Sequence, residues 1–388
     1  MESTSPQTSQ KLRVVILGGG FAGVYAAMEL ESQLGSQNDF EITLVNRENY
    51  FVFQPMLPEV ISGSIGILDT VSPIRRLLPR TKLIVRDVEA LDLQQKTITL
   101  SQGFRPRPYV LGYDYLVFAL GNVTDFRGMV GLAEHALPFK NLADAIFLRN
   151  HVIHVLEEAS IEADPELRQQ LLTFVIAGGG FSGVEVCAEL NDFVRSAAKH
   201  YPGIDQTDIR VVLLHSGERI LDREVSKELG LYAQNLLYNR GVEIRLKSRL
   251  RSASSDAAIL TNDERIPTKT LVSTVPSSPH PLIEALAIPR DKGKIKCDLF
   301  LEVEGLPHVW ALGDCALIPN PSGEGFCPPT AQYAIREGVT AARNIVADIR
   351  GKKKKQFQFK GLGKMGSLGY RSAVAELFDY FRFSGFVA

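Results

Sequence analysis

Apolar positions along the chain come in two rhythms. Short runs rich in β-branched and aromatic residues stand at 14–17 (VVIL), 41–45 (EITLV), 115–120 (YLVFAL), 174–177 (FVIA), 209–214 and 271–275. Between them lie stretches of helical character at 21–30, 141–163, 183–199 and 331–349. The short runs suit strands covered on both faces, and their alternation with helices predicts an α/β fold on parallel sheets. Residues 82–100 carry two more strand-like runs, LIVRDVEAL and KTITL, expected as a short antiparallel meander. Further strands are expected at 242–251 and 257–261. Residues 49–65 (NYFVFQPMLPEVISGSI) read as an apolar loop, and Asp164-Pro165 as a break.

The first strand runs into Gly18-Gly19-Gly20, and Gly18, Gly20 and Gly23 stand at G-x-G-x-x-G spacing. Such glycines allow a tight turn, let a pyrophosphate approach the backbone, and let helix and strand pack closely. The helix behind them turns free N–H groups and a partial positive charge toward the phosphates. The same phrase recurs at 174–190 (FVIAGGGFSGVEVCAEL), with Gly178, Gly180 and Gly183 in register. Two such units in one chain imply two bound dinucleotides.

Composition excludes more than it assigns. Of the 388 residues, 45% are hydrophobic and 22% charged, and the formal net charge is −1, which gives no basis for nucleic-acid binding. The first ten residues lack the basic and apolar regions of a secretory signal, and no apolar run approaches the ~18 residues of a membrane span. A cytoplasmic protein is expected, with attachment to the cytoplasmic face of a membrane at most peripheral. Cys187, Cys297, Cys315 and Cys327 form no close pair, and no metal site is expected.

The ends of the strands carry the remaining candidates. A carboxylate commonly closes the second strand of a dinucleotide unit and holds the ribose. Asn46 occupies that place in the first unit, with Glu48 as a substitute, and His215-Ser216 occupies it in the second. The nicotinamide preference therefore stays open: Arg219 would favour a 2′-phosphate and Glu218 would oppose it. The strand at 115–120 ends at Gly121, and the strand within 308–319 delivers Gly313-Asp314 at its carboxyl end. Asp314 is there either a hydrogen-bond acceptor for a sugar or ribityl hydroxyl or a helix cap. The helix starting near Thr330, Ala331 and Gln332 directs N–H groups and a positive dipole end outward. Lys352–Lys355 and the phenylalanine-rich last sixteen residues suit either a solvated loop with a packed strand and helix, or a membrane surface.

Taken in order, the two glycine loops, FQPMLPEV, LVFALG, WALGD and CPPTAQYAIREG resemble the type II, non-proton-pumping NADH:quinone dehydrogenases, from about Leu12 to Ala388. That resemblance implies two Rossmann-like, three-layer domains, the second inserted in the first: an FAD-binding part at 11–150, an NAD(P)H-binding domain at 151–290, a second FAD-binding part at 291–350, and a small C-terminal segment at 351–388 facing a membrane or a second copy in a homodimer. It implies FAD on Gly18, Gly20 and Gly23, with Asn46 and Arg47 near the adenosine, Val88 at the adenine, Gly121 close by and Asp314 on the ribityl chain. NADH or NADPH would bind Gly178, Gly180 and Gly183, beside His215. Glu185 would face the reacting side, and Thr330, Ala331 and Gln332 the flavin and a quinone head group, with Glu185 and Gln332 in catalytic positions.

Departures from the family pattern stand at Asn46, at His215, at Arg336 where a second glutamine is usual, and at Thr274-Val275-Pro276. The chain ends about where the family's closing amphipathic helices would begin, which leaves weak attachment, action in solution or truncation open. Hydride would pass from NAD(P)H to the flavin, and two electrons on to the quinone, with the cofactor carrying the chemistry. A disulfide reductase is rejected for want of a cysteine at 47–65. A sulfide:quinone reductase using Cys187 and Cys327, and a flavin-bearing sensor with little turnover, are the alternatives.

Overall fold

A computed structural model describes residues 11–388 apart from Ser36, Arg105, Arg127, Val275, Pro276, Glu324 and Asp379. The ten N-terminal residues, and the Val275-Pro276 part of the departure noted above, lie outside the described residues. The chain divides into two compact units, residues 1–51, 71–123 and 278–361, and residues 52–70, 124–277 and 362–388.

In the first unit five strands form one parallel sheet in the order Val309–Ala311, Tyr115–Phe118, Leu12–Leu17, Phe40–Asn46, Lys82–Val85. The glycine-bearing strand is central, and Val14 to Leu17 are wholly buried, as expected for a strand covered on both faces. Helices Phe21–Leu34 and Ala331–Ile349 pack together. A side chain on Gly338 would strike the Ala22 carbonyl, so only glycine permits so close a crossing. Trp310, Phe118 and Tyr113 fill the core.

The second unit repeats the plan, with the order Leu137–Pro138, Thr270–Ser273, Thr173–Ala177, Arg210–Leu214, Val242–Arg245, again parallel. The long helix Leu142–Ile161 starts on Asn141, whose side chain accepts from the Asp144 N–H while Asp144 reaches back, a complete capping box.

Four sequence expectations change. The run LIVRDVEAL is two strands in different sheets. Lys82–Val85 joins the parallel sheet until the Arg86 N–H bonds the Asn46 carbonyl, and Val88–Asp92 then pairs antiparallel with Thr97–Leu100. The stretch at 49–65 contains a helix, Leu57–Ser62, with Leu57, Pro58, Val60 and Ile61 buried. It packs on Leu142–Ile161 and Phe181–Ala198, where Arg149 Nη1 donates to the Ile61 carbonyl at 2.8 Å. The expected break at Asp164-Pro165 is present, between Leu142–Ile161 and a further helix, Pro165–Leu171, capped by Asp164. The described C-terminal residues form no helix: Gly363–Ser367, Ala373–Leu377 and Phe381–Gly385 make an antiparallel sheet. Arg240 holds it by donating to the carbonyls of Leu368 (2.7 Å) and Tyr370 (3.0 Å). The lysine run is not wholly solvated either, because Lys354 pairs with Glu302 and Asp348.

Candidate functional site

In both units the strand delivers its glycines into the same turn. Gly18 and Gly178 have φ of +108° and +128°, which disfavours other residues, and a side chain on Gly18 would meet the Ala119 carbonyl. A side chain on Gly23 or Gly183 would strike the carbonyl of Gly18 or Gly178, so helix and turn close on each other. Gly20 has ordinary backbone angles and faces open space. Its absent side chain therefore leaves room for a ligand and relieves no strain.

The long helices differ in how they start. Asn141 and Ser226 cap theirs with side-chain oxygens. Phe21–Leu34, Phe181–Ala198 and Ala331–Ile349 begin at Gly20, Gly180 and Thr330 with no side-chain cap. A helix start carries a partial positive charge that favours an anion, and these three starts without a side-chain cap are the ones the glycine motifs and the Thr330-Ala331-Gln332 segment occupy.

Around the first loop, Asn46 Oδ1 accepts the Gly19 N–H at 2.8 Å and Asn46 Nδ2 donates to the Glu48 carbonyl at 2.9 Å. Asn46 thus locks the turn, which explains why a neutral residue serves there. Arg47 pairs with Asp87, adjacent to half-buried Val88. Gly121 opens on empty space at φ +65°, and Asn122 Nδ2 donates to Asp314 Oδ2 at 3.1 Å. Asn122 Oδ1 is buried with no hydrogen-bond partner among the described residues, an acceptor available to a hydroxyl. Asp314 lies in a turn, Gly313–Cys315, and Thr330, Ala331 and Gln332 open the helix that packs beside it. Arg336 lies over the Phe359 ring at 4.1 Å and donates to the Gln332 carbonyl at 2.9 Å.

In the second unit, His215 lies against Gly179, as Asn46 does against Gly19. Its Nε2 is buried and stands 3.5 Å from Asp222 Oδ1, an ion-pair distance without hydrogen-bond geometry. A Cβ on Gly180 would lie 2.8 Å from Glu224 Oε1. Arg219 is turned into its own loop, donating to the carbonyls of Ile220, Leu221, Asp222, Val225 and Ser226. Glu218 pairs with Lys247 at 2.9 Å. Thr274 Oγ1 donates to the Ala177 carbonyl at 3.0 Å, beside Gly183.

Glu185, in the first turns of Phe181–Ala198, accepts the Ser367 N–H at 3.1 Å. Burial pushes its carboxyl up to about 8 against that hydrogen bond, and Glu59 and Glu189 add to the rise. Glu59, from the FQPMLPEV stretch, has a buried Oε2 with no hydrogen-bond partner among the described residues, and burial raises its carboxyl too. The structure thus joins Glu185 to Glu59 and to the C-terminal sheet. Sequence reasoning missed both: the stretch carrying Glu59 read as a loop and not as helix Leu57–Ser62, and the strand Gly363–Ser367 left no signal in the sequence.

The thiols offer no relay. Cys187, Cys297 and Cys315 are buried, and burial raises all three, Cys315 to about 11. Half-buried Cys327 is pushed up to about 12 by burial and Glu337. None is a thiolate nucleophile near neutral pH.

A sequence profile of the pyridine nucleotide-disulphide oxidoreductases matches residues 12–338, most of the chain. The chain belongs to this family. Among curated relatives, a probable NADH dehydrogenase of Dictyostelium discoideum is 29% identical, over 97% of this chain and 82% of its own. A type II NADH:quinone oxidoreductase of Staphylococcus aureus is 26% identical, over 95% of this chain and 90% of its own. The NDH2 of Plasmodium falciparum, solved with NADH, superimposes with a TM-score of 0.88 at 20% identity, covering 97% of this chain and 92% of that one. At that identity the likeness establishes the fold: two Rossmann-like α/β domains, as the sequence implied. A sulfide:quinone oxidoreductase of Aquifex aeolicus has the same fold at a TM-score of 0.73.

Proposed function

We propose that this chain is an FAD-dependent NADH dehydrogenase that passes electrons to a quinone without pumping protons. The observation that carries the reading is the pairing of two intact glycine turns, one in each unit, with uncapped helix starts. The first cradle would hold FAD: Gly20 and the N–H groups of Phe21–Leu34 take the pyrophosphate, and Gly18 and Gly23 shape the turn. Asn46 braces that turn, with Arg47 and Val88 at the adenosine side. Gly121 leaves space, and Asp314 with Asn122 takes the polyol hydroxyls. Thr330, Ala331 and Gln332 offer donors to the ring edge and the quinone.

The bound flavin supplies two-electron redox chemistry that no side chain has. The protein's part is to bind, orient and exclude water. Gly178, Gly180 and Gly183 would take the pyrophosphate of NADH, and His215 packs the turn beneath it. Glu185, neutral below about 8, can give a proton to an acceptor and regain it from solvent.

NADH is favoured over NADPH because the expected phosphate ligand, Arg219, spends its guanidinium on loop carbonyls. Asp222 and Glu224 approach the same turn and would repel a 2′-phosphate. No described helix is long and apolar enough to cross a membrane. Peripheral attachment to a membrane surface is supported by the exposed aromatics in and around the C-terminal sheet, Tyr370, Phe378, Tyr380, Phe381 and Phe386, and we assign it to the cytoplasmic face. Co-sedimentation with anionic vesicles, lost when these are replaced by serine, is expected; oligomerisation of the free chain through the same residues would contradict it.

The test of function is NADH consumption by the flavin-loaded chain with and without a short-chain quinone. Strong stimulation by quinone is expected. Fast reduction by NADH with no effect of quinone would favour a redox sensor.

A further inference from the structure

The turn that carries Asp314 is held from beneath by a second carboxylate. Glu337, on Ala331–Ile349, is 2% exposed, and its Oε2 accepts the Gly313 N–H at 2.8 Å. Gly313 has φ +67°, and a Cβ there would lie 3.4 Å from Ala22 and 3.8 Å from Ala334, so the turn is wedged between two helices. On its other side Asp314 receives Asn122 Nδ2. The peptide that aims Asp314 is thus fixed by one buried acid.

The charges around Glu337 are unbalanced. Asp314 faces it from the turn, Lys294 from the strand Lys294–Lys296, and the thiols of Cys297 and Cys327 from the chain on either side. Helix Phe21–Leu34 brings Ala22 and Ala26 to this level, and its Glu29 pairs with Arg343 further along. On Glu337's own helix, Arg336 is committed to Phe359 and the Gln332 carbonyl. Among the described residues, Lys294 is the cation set against two carboxylates.

We propose that Glu337 is a positioning residue for the flavin: protonated, it holds the Gly313-Asp314 turn in the form that receives the polyol chain, and flavin binding takes up a proton there. The proposal rests on reading the first cradle as the FAD site. Burial, with Asp314 adding to it, raises Glu337 to about 7, so both protonation states are populated near neutrality. A neutral carboxyl still accepts the Gly313 N–H through its carbonyl oxygen. Filling the cradle expels water and brings an anionic pyrophosphate to the same unit. Both changes favour the neutral acid and raise its pKa further in the complex. The complex then binds more protons than the free chain, so affinity is greatest at low pH and falls as pH rises through the free-state value.

The experiment is release of FAD from the flavin-loaded, full-length chain on dilution, read by recovered flavin fluorescence at a series of pH values across neutrality. Wild type should lose several-fold in affinity from the acid to the alkaline end, within the limit of about tenfold per pH unit that one proton sets. Glu337→Gln keeps an acceptor for the Gly313 N–H, and should retain FAD with affinity independent of pH. Glu337→Ala should bind FAD weakly at every pH. The same pH slope in Glu337→Gln as in wild type, or a flat wild type, would overturn the proposal while leaving the FAD site intact. Failure of wild type to bind FAD at any pH would overturn both.

Discussion

The two glycine cradles share a frame and differ in their linings. In each, a central buried strand ends in three glycines, and a side chain lies over the middle one. In the first unit that side chain is Asn46, with Oδ1 on the Gly19 N–H and Nδ2 on the Glu48 carbonyl, and Gly20 beyond it is open. In the second it is His215, with Nε2 unbonded, and Glu224 hangs over Gly180. A locked, open cradle suits a resident cofactor. One overhung by a carboxylate suits a nucleotide held less tightly. Glycine spacing therefore marks where a dinucleotide binds, while the residues after the next strand decide which one and for how long.

The strongest way to break this contrast is to fill each cradle separately. Gly20→Val places its side chain in open space, so the protein should fold with little change in Tm yet purify colourless. Gly180→Val should purify yellow. Matching flavin contents in the two would erase the distinction. Next in size, Asp314→Ala removes an acceptor worth roughly 1.5–3 kcal/mol when charged, so FAD should dissociate about ten- to a hundredfold more readily, read by equilibrium dialysis, with NADH affinity unchanged.

A third test uses the buried acid of the second unit. Glu185 has a folded-state value near 8, above the ordinary 4.5, so the folded chain holds the extra proton. Its contribution to stability is greatest at acid pH and is lost as pH rises from about 4.5 to about 8. Denaturant midpoints should show wild type losing ground to Glu185→Gln over that range; parallel curves would remove Glu185 from the account. The smallest effect is expected of Glu224→Gln. Relieving one carboxylate at a helix start is worth roughly 0.3–1 kcal/mol, or about two- to fivefold tighter NADH binding by titration. Weaker binding would show that Glu224 assists the nucleotide.

Much of this architecture was legible because it is local and periodic. The apolar runs at 14–17 and 174–177 and the glycines behind them need only their neighbours to be read, and both became central strands. The stretch at 141–163 read as helical from its residues, and the helix runs Leu142–Ile161 behind Asn141. What escaped depends on contacts distant in sequence. Asn122 meets Asp314 from 192 positions away, and Glu337 reaches Gly313 from 24 positions away only because the last long helix packs beside that turn. Arg219 looked available because a lone arginine after a strand is ambiguous until its loop closes on it. The tail at 373–377 (AVAEL) has helical composition, yet its partners Gly363–Ser367 and Phe381–Gly385 draw it into a sheet.

The most direct measurement mixes NADH anaerobically with yellow wild type and with yellow Gly180→Val and follows the flavin absorbance. The two-cradle account predicts rapid bleaching in wild type and none in the variant, whose flavin dithionite still reduces. Bleaching of Gly180→Val at the wild-type rate would contradict it, since NADH would then be reaching the flavin without the second cradle.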